Sequence, residues 1–326
     1  VGRKRAGEGG FKVRRLVVAL ALLALVAGDR AEGAKSFPKV GTLDGQFLKI
    51  PVGSRPTAMG GAFVAVADDA NAIYWNPAGL ARLEGSIVAF NFTTWPADVN
   101  MATGSYIFHL GFLPGMLAIN ARGLYMSRMD RTTVFQPNGD GTTFDAGYSS
   151  FGLSYARSLT DKFSVGGSVS LVHGSLDDLG SDAISFDIGT IYDTGFRSLR
   201  IGMAIYNMGT ELSYLPNGES SKLPITFRVG AAVDVVQSTQ NRVTLAGDFS
   251  HPPDNIERLN MGGEYGFKNF FFLRGGYNFS YDSETWTGGL GVQFPTSLSS
   301  ETKFDYSFTN LSDLGGAHRF SLEIDF

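Results

Sequence analysis

Phe320-Ser-Leu-Glu-Ile-Asp-Phe326 closes the sequence. Strand side chains alternate, so Phe320, Leu322, Ile324 and Phe326 point one way. Arg319, Ser321, Glu323 and Asp325 point the other. One face is wholly apolar and the other is charged or polar. The same alternation recurs upstream. In 301–309, Phe304, Tyr306 and Phe308 oppose Lys303, Asp305, Ser307 and Thr309. In 162–173, Phe163, Val165, Val169 and Leu171 oppose Ser164, Gly166, Ser168 and Ser170. In 147–157, Phe151, Leu153 and Tyr155 oppose Gly152, Ser154 and Ala156.

The opposite end of the sequence sets the compartment. Arg3, Lys4, Arg5, Lys12, Arg14 and Arg15 precede an unbroken run of Leu, Val and Ala over 16–27. Ala31-Glu-Gly33 follows, with small residues at the −3 and −1 positions of a cleavage site. Residues 1–33 are therefore expected to be a secretory signal peptide. The run is shorter than the roughly 20 apolar residues of a spanning helix, and no second run of that kind exists. A membrane crossing by the mature chain would then require a closed β-barrel, since only helices and barrels satisfy every backbone polar group in lipid.

Composition agrees. The chain holds 27 Lys+Arg and 31 Asp+Glu; removing the 7 and 3 in residues 1–33 leaves 20 and 28, a formal −8. That balance argues against a nucleic-acid partner. Cysteine is absent, which removes disulfides and thiolate chemistry. The 42 Gly and 26 Phe suit strands with tight turns and an aromatic girdle.

From residue 85 the chain reads as fourteen segments of about the length of a tilted membrane strand. They are 85–92, 104–113, 115–126, 144–157, 162–173, 182–193 and 198–207, then 224–236, 242–250, 257–266, 270–279, 285–294, 301–309 and 318–326. The odd-numbered connections are mostly longer than the even-numbered ones, as outer loops are longer than periplasmic turns. The expectation is an all-β transmembrane antiparallel barrel of about fourteen strands, 85–326, with both ends periplasmic.

Residues 34–84 read differently. Small residues dominate, and Asp68 or Asp69 is placed to cap a short helix over 70–75. Asn76-Pro77 ends it, because proline disfavours helix in the residue before it. Pro77 then opens a further turn. A compact small-residue segment of this kind would serve as a hatch inside the barrel.

Three stretches here carry a family resemblance: Phe47-Leu-Lys-Ile-Pro-Val-Gly-Ser-Arg55, Met59-Gly-Gly-Ala-Phe-Val-Ala-Val-Ala-Asp-Asp-Ala70 and Tyr74-Trp-Asn-Pro-Ala-Gly-Leu-Ala81. They resemble the PorV/PorQ family and, more broadly, the FadL-like outer-membrane barrels. The resemblance covers roughly 45–126 and is diffuse beyond. It implies a fourteen-stranded barrel with an N-terminal hatch in the outer membrane. For function it implies a docking barrel in surface assembly or type IX-like protein secretion, with secretion-system or cargo proteins as partners. The alternative is a FadL-like transporter of a hydrophobic small molecule, released sideways through a kinked strand. The closing aromatic strand resembles the signal that the barrel-assembly machinery reads, with Phe320, Leu322, Ile324 and Phe326 as its face toward lipid.

Candidate site residues follow from this reading. Gly60, Gly61, Asp68, Asp69, Asn71, Asn76 and Pro77 form the hatch or gate motif. Arg274, Lys303, Asp305, Arg319, Glu323 and Asp325, with Asp187 and Asp248, face the lumen. Arg319, Glu323 and Asp325 are expected to hold the hatch rather than line an open pore. Asp68-Asp-Ala-Asn71 has oxygens enough for a cation, but helix capping and hatch-to-wall bonds use the same atoms, so no metal or cofactor is expected. The glycine pairs Gly166-Gly167, Gly262-Gly263, Gly275-Gly276 and Gly288-Gly289 fit either a wall kink or room for the hatch. Trp95, Pro96, Met101, Leu212, Tyr214, Leu215 and Pro216 are apolar residues on expected outer loops, suited to a partner or to the girdle. The four His residues form no catalytic constellation: Ser105 and His109 share a face but lie too far apart along a strand for contact. The chain is expected not to be an enzyme.

Overall fold

A computed structural model describes residues 42–215, 218–296 and 299–326. The expected signal peptide lies outside the described residues. Fourteen antiparallel strands close into one barrel. They are β1 (Ile87–Thr94), β2 (Asn100–Phe108), β3 (Met116–Tyr125), β4 (Ala146–Thr160), β5 (Phe163–Leu176), β6 (Leu179–Asp193) and β7 (Arg200–Gly209). The second half holds β8 (Thr226–Gln237), β9 (Asn241–His251), β10 (Arg258–Phe267), β11 (Phe271–Phe279), β12 (Trp286–Phe294), β13 (Glu301–Asn310) and β14 (Gly316–Asp325). Each strand pairs with its sequence neighbours, and β1 closes on β14 through Phe92↔Phe320 and Val88↔Ile324.

Closure leaves no open edge, and alternation sorts the side chains. Phe90, Phe151, Leu171, Phe304 and Phe320 stand on the outer surface, each between 47% and 65% exposed. In water an apolar surface of this extent would drive association; in lipid it is the solvated face. On β14 the inward side chains are Ala317, Arg319, Ser321, Glu323 and Asp325, opposite the outward His318, Phe320, Leu322 and Ile324.

All fourteen expected strands are present. The second is displaced: β2 starts at Asn100 because Asn100–Thr103 pair with Thr94–Asn91 of β1. The connection shrinks to 95–99, turning at Ala97 and Asp98, whose φ angles are +61° and +55°. Met101 is therefore an inward, buried strand residue and not part of a loop. The expected loop 174–181 likewise closes to a turn at 177–178, since β5 and β6 pair as far as Leu176↔Leu179. Contrast in loop length thus rests on two connections at one end of the barrel, 126–145 and 210–225. Each carries a two-stranded ribbon: Met129–Asp130 with Thr143–Phe144, and Glu211–Leu212 with Ser221–Lys222.

The segment before β1 folds inside the barrel. It holds 3₁₀ turns at Gln46–Lys49 and Pro77–Arg82, and two short helices, α1 (Ser54–Ala58) and α2 (Ala72–Trp75). Ala62 to Ala67 are entirely inaccessible to solvent. With Met59, Ile73, Trp75 and Leu80, Phe63 and Ala65 to Ala67 form an apolar core against the inward Ile87, Ile107, Ala118, Ala156 and Ile191 of the wall, while Val64 packs on Ala204 and Tyr206. Helices this short gain little from propensity; burial inside the barrel holds them.

Candidate functional site

The hatch meets the wall where the wall has no side chain. A Cβ on Gly166 would stand 2.4 Å from the Pro77 carbonyl carbon, and one on Gly262 would stand 2.1 Å from the Met59 oxygen. On Gly276 it would be 2.1 Å from the Gly60 nitrogen, and on Gly289 2.6 Å from the Ala58 Cβ. Each glycine pair in the sequence thus contributes one member to a hatch seat. The register through all four pairs is continuous, so none of them kinks the wall. The bulges lie elsewhere, at Ser158/Thr160, Phe186/Ile188 and Asp234/Val236.

Hydrogen bonds then fix the seat. Asn76 caps the Pro77–Arg82 turn by accepting from Ala78 N at 3.2 Å, the role an N-cap asparagine serves. Its Nδ2 donates to Val64 O (2.8 Å) in the hatch and to Thr190 O (3.0 Å) of β6. Asp248 of β9 accepts from Phe63 N (2.8 Å) and Val64 N (2.9 Å) on one oxygen. Thr287 of β12 accepts from Gly60 N (3.0 Å) and donates to Ala58 O (2.9 Å). Ser321 of β14 bonds to Ser54 N (2.8 Å) and to its hydroxyl (2.9 Å). Gly60 and Gly61 take φ of +66° and +74°, a turn other residues enter with strain.

Charges lock the short-turn end of the lumen. Arg55 of α1 donates to both oxygens of Glu264 (2.7 and 3.0 Å) on β10. Its Nη1 meets Asp68 at 2.7 Å and Asp69 at 3.0 Å. Glu264 also takes Arg274 at 2.6 Å, and Arg274 reaches Asp305 at 2.5 Å. Arg242 approaches Asp68 at 3.5 Å and Glu264 at 3.6 Å. Beside this chain, Lys303 bridges Glu323 (2.8 Å), Glu301 (3.0 Å) and Asp325 (3.5 Å). The second oxygen of Glu323 accepts Ala70 N of the hatch at 2.9 Å.

Bidentate, desolvated pairs of this kind are strong while intact, and losing one partner leaves a buried charge. Burial alone would lower the pKa of Arg55; Asp68, Glu264 and Asp69 overcome that and raise it. Burial pushes the Asp69 carboxyl up to about 6 against the pull of Arg55, with Glu323 and Asp68 adding to the rise.

The other end of the lumen holds a cavity of about 100 Å³ between the hatch and the wall, lined among others by Tyr74, Trp75, Arg122, Arg228, Arg258 and Arg319. The 210–225 connection packs against the first turn of the hatch. Leu212 and Leu223 there pack with Phe47, Val172 and Ala183, and Tyr148 stacks on Phe47 with ring centroids 4.9 Å apart.

A family model described as "Type IX secretion system protein PorV" matches residues 35–252. The chain belongs to that family. A search of curated proteins finds no match. Solved structures share the architecture. CymD, a monoaromatic hydrocarbon channel, superposes with a TM-score of 0.57 at 14% identity, over 85% of this chain and 98% of its own. The Ralstonia pickettii toluene transporter TbuX gives 0.55 at 16%, over 84% and 98%. A Pseudomonas aeruginosa FadL homologue gives 0.54 at 12%, over 85% and 99%. At such identities the likeness establishes the fold. This is a PorV-family, non-enzymatic β-barrel of the outer membrane, and its family makes it a type IX secretion component with secretion-system partners.

In this PorV-family barrel the residues singled out in the sequence separate into groups. Gly60, Asn76 and Pro77 lie at hatch–wall contacts, while a Cβ on Gly61 would stand 3.1 Å from the Trp75 ring. Asp68 caps no helix; it pairs with Arg55 and Arg242. Asp69 bonds Asn71 N at 2.8 Å, just before α2, and Asn71 itself makes no side-chain cap. The helix is shorter than expected, starting at Ala72, because Asp69 holds the preceding residues in a turn.

Of the three residues expected to hold the hatch, Glu323 bonds Ala70 N, and Arg319 donates to Pro51 O at 3.3 Å. Asp325 makes neither contact and pairs with Lys303. Arg274, Lys303 and Asp305 belong to wall ion pairs, and Asp187 accepts from Asn207 N at 2.7 Å within the wall. Trp95 lies under the Arg319 guanidinium, 5.2 Å from its ring centroid, and so faces the lumen and not the girdle. Leu215 is exposed, whereas Leu212 is buried; Pro216 lies outside the described residues. His109 is exposed past the end of β2.

Sequence reasoning missed Arg55 and Glu264, the centre of the lock. Glu264 faces Arg274 directly across β10 and β11, a pairing that the strand register would have exposed.

Proposed function

We propose that this chain works as a closed docking barrel in type IX secretion, binding secretion-system and cargo proteins with its loops and rim while its lumen stays sealed. The observation that supports this most is the hatch seat: wall glycines, buried hydrogen bonds and the Arg55–Glu264 lock hold the hatch on strands all round the barrel. The hatch or gate motif then acts as a seal, and Arg319 and Glu323 are part of what holds it. The face of Phe320, Leu322 and Ile324 is available to the barrel-assembly machinery during insertion.

CymD and TbuX carry aromatic hydrocarbons, which makes transport of a hydrophobic solute the competing reading. The cavity beyond the hatch is lined by four arginines and several hydroxyl and amide groups, a poor match for an apolar ligand. The test is chemical crosslinking in native membranes followed by isolation of the barrel. The expected result is recovery of other secretion-system proteins and of secreted proteins in transit. Recovery of the barrel alone, together with saturable toluene uptake into vesicles containing it, would establish the transporter instead.

A further inference from the structure

The two ends of the lumen treat their arginines differently. At the short-turn end Arg55, Arg242 and Arg274 all sit in ion pairs of 2.5 to 3.6 Å. At the long-loop end, among the described residues, no ion pair within 4.0 Å engages Arg228, Arg258 or Arg319. Arg319 is only 1% exposed. Its Nη1 donates to Thr309 at 2.9 Å and its Nε to Pro51 O at 3.3 Å, but its Nη2 has no partner. Nε and Nη1 of Arg228 and Nε of Arg258 are likewise buried without one. All three side chains line the same cavity of about 100 Å³.

We propose that this cavity binds an oxyanion, a carboxylate or phosphate group, held by Arg228, Arg258 and Arg319. The guanidinium faces are already covered: Arg228 lies over Trp75 (5.0 Å), Arg258 over Tyr281 (4.3 Å) and Arg319 over Trp95 (5.2 Å). Stacking leaves the donor edges free and holds the planar forks in place, the arrangement that recognises planar or tetrahedral oxyanions.

The charge count also asks for an anion. Lys49 is bridged by Asp254 at 2.7 Å. Asp248 spends one oxygen on two hatch amides, and its other oxygen is buried with no hydrogen bond to any of the three arginines. Glu284 is the carboxylate that all three arginines attract, and its one hydrogen bond is a long 3.5 Å contact from Asn278. Burial raises its pKa although Arg319, Arg258 and Arg228 pull the other way, and it is one carboxylate against three guanidinium groups. Arg122 also lines the cavity, but Asp187 beside it supplies a counterion. Water would satisfy the free N–H groups but not this excess of positive charge.

The site is separate from the docking role, and its failure leaves that role standing. The test is calorimetric titration of the full barrel in a non-ionic detergent and a buffer free of carboxylates and phosphates. Inorganic phosphate and acetate are the probes. One-site saturable binding is expected. Arg228→Gln/Arg258→Gln should weaken it at least tenfold, and Glu284→Gln should tighten it several-fold by removing the competing carboxylate. Heat-dependent mobility on electrophoresis checks that each variant remains a folded barrel. Binding of phosphate alone assigns the site to a phosphate-bearing ligand, and of acetate alone to a carboxylate. Absence of saturable binding of both probes to the folded wild-type barrel, or unchanged affinity in the folded double variant, would overturn the proposal.

Discussion

At the scale of single residues, the hatch depends on a few buried polar groups that each serve both sides of its seam. Glu264 is the clearest. It is 3% exposed and accepts from Arg55 of the hatch and Arg274 of the wall. Glu264→Gln keeps the shape and removes the charge, leaving two buried guanidinium groups short of a counterion. Breaking a buried pair in this way costs about 3–5 kcal/mol. Unfolding by guanidinium in lipid vesicles should shift by that order, and proteolysis within 42–86 should begin before the barrel opens. An unchanged midpoint would mean that Arg274–Asp305 and Arg55–Asp68 carry the lock without it. Asp69 is a weaker member of the same set, since burial and its acidic neighbours oppose the attraction of Arg55.

At the scale of elements, the hatch is seated by paired absences: a wall glycine under each close approach of its backbone. Gly262→Val is the direct test, because even its Cβ would stand 2.1 Å from the Met59 oxygen, and backbone cannot yield as a flexible side chain can. The variant is expected to keep its fourteen strands and lose the seal, seen as ion conductance in planar bilayers where the wild type is silent. Gly263→Val, whose Cβ points outward toward Leu245 at 3.3 Å, should conduct no more than the wild type.

The strands themselves were legible from period-two alternation, which the lipid and lumen faces impose on every one of them. β2 was misplaced because its first polar residues near a mouth, Asn100 on the outer face and Thr103 on the inner, read the same as loop residues. The wall glycines were visible as pairs, but which member faces the hatch depends on register. The partnership of Glu264 and Arg274 likewise emerges only once the turn at 268–270 sets that register. Arg228, Arg258 and Arg319 lie on three different strands, and nothing in their spacing announces that closure brings them into one cavity.

At the scale of the molecule, a sealed barrel and a gated one make opposite demands on the hatch. A docking barrel works with the hatch fixed; a transporter has to move it. The chain has no cysteine of its own, so a single engineered disulfide can be read cleanly. Ser54 on α1 and Ser321 on β14 face each other with hydroxyl oxygens 2.9 Å apart, close enough for Ser54→Cys/Ser321→Cys to bridge hatch and wall. The most direct measurement is cargo secretion by cells whose only copy of the barrel is this oxidised double variant. Secretion at the wild-type level, unchanged by reductant, is the predicted result. Secretion lost in the oxidised form and restored on reduction would contradict a hatch that works in place.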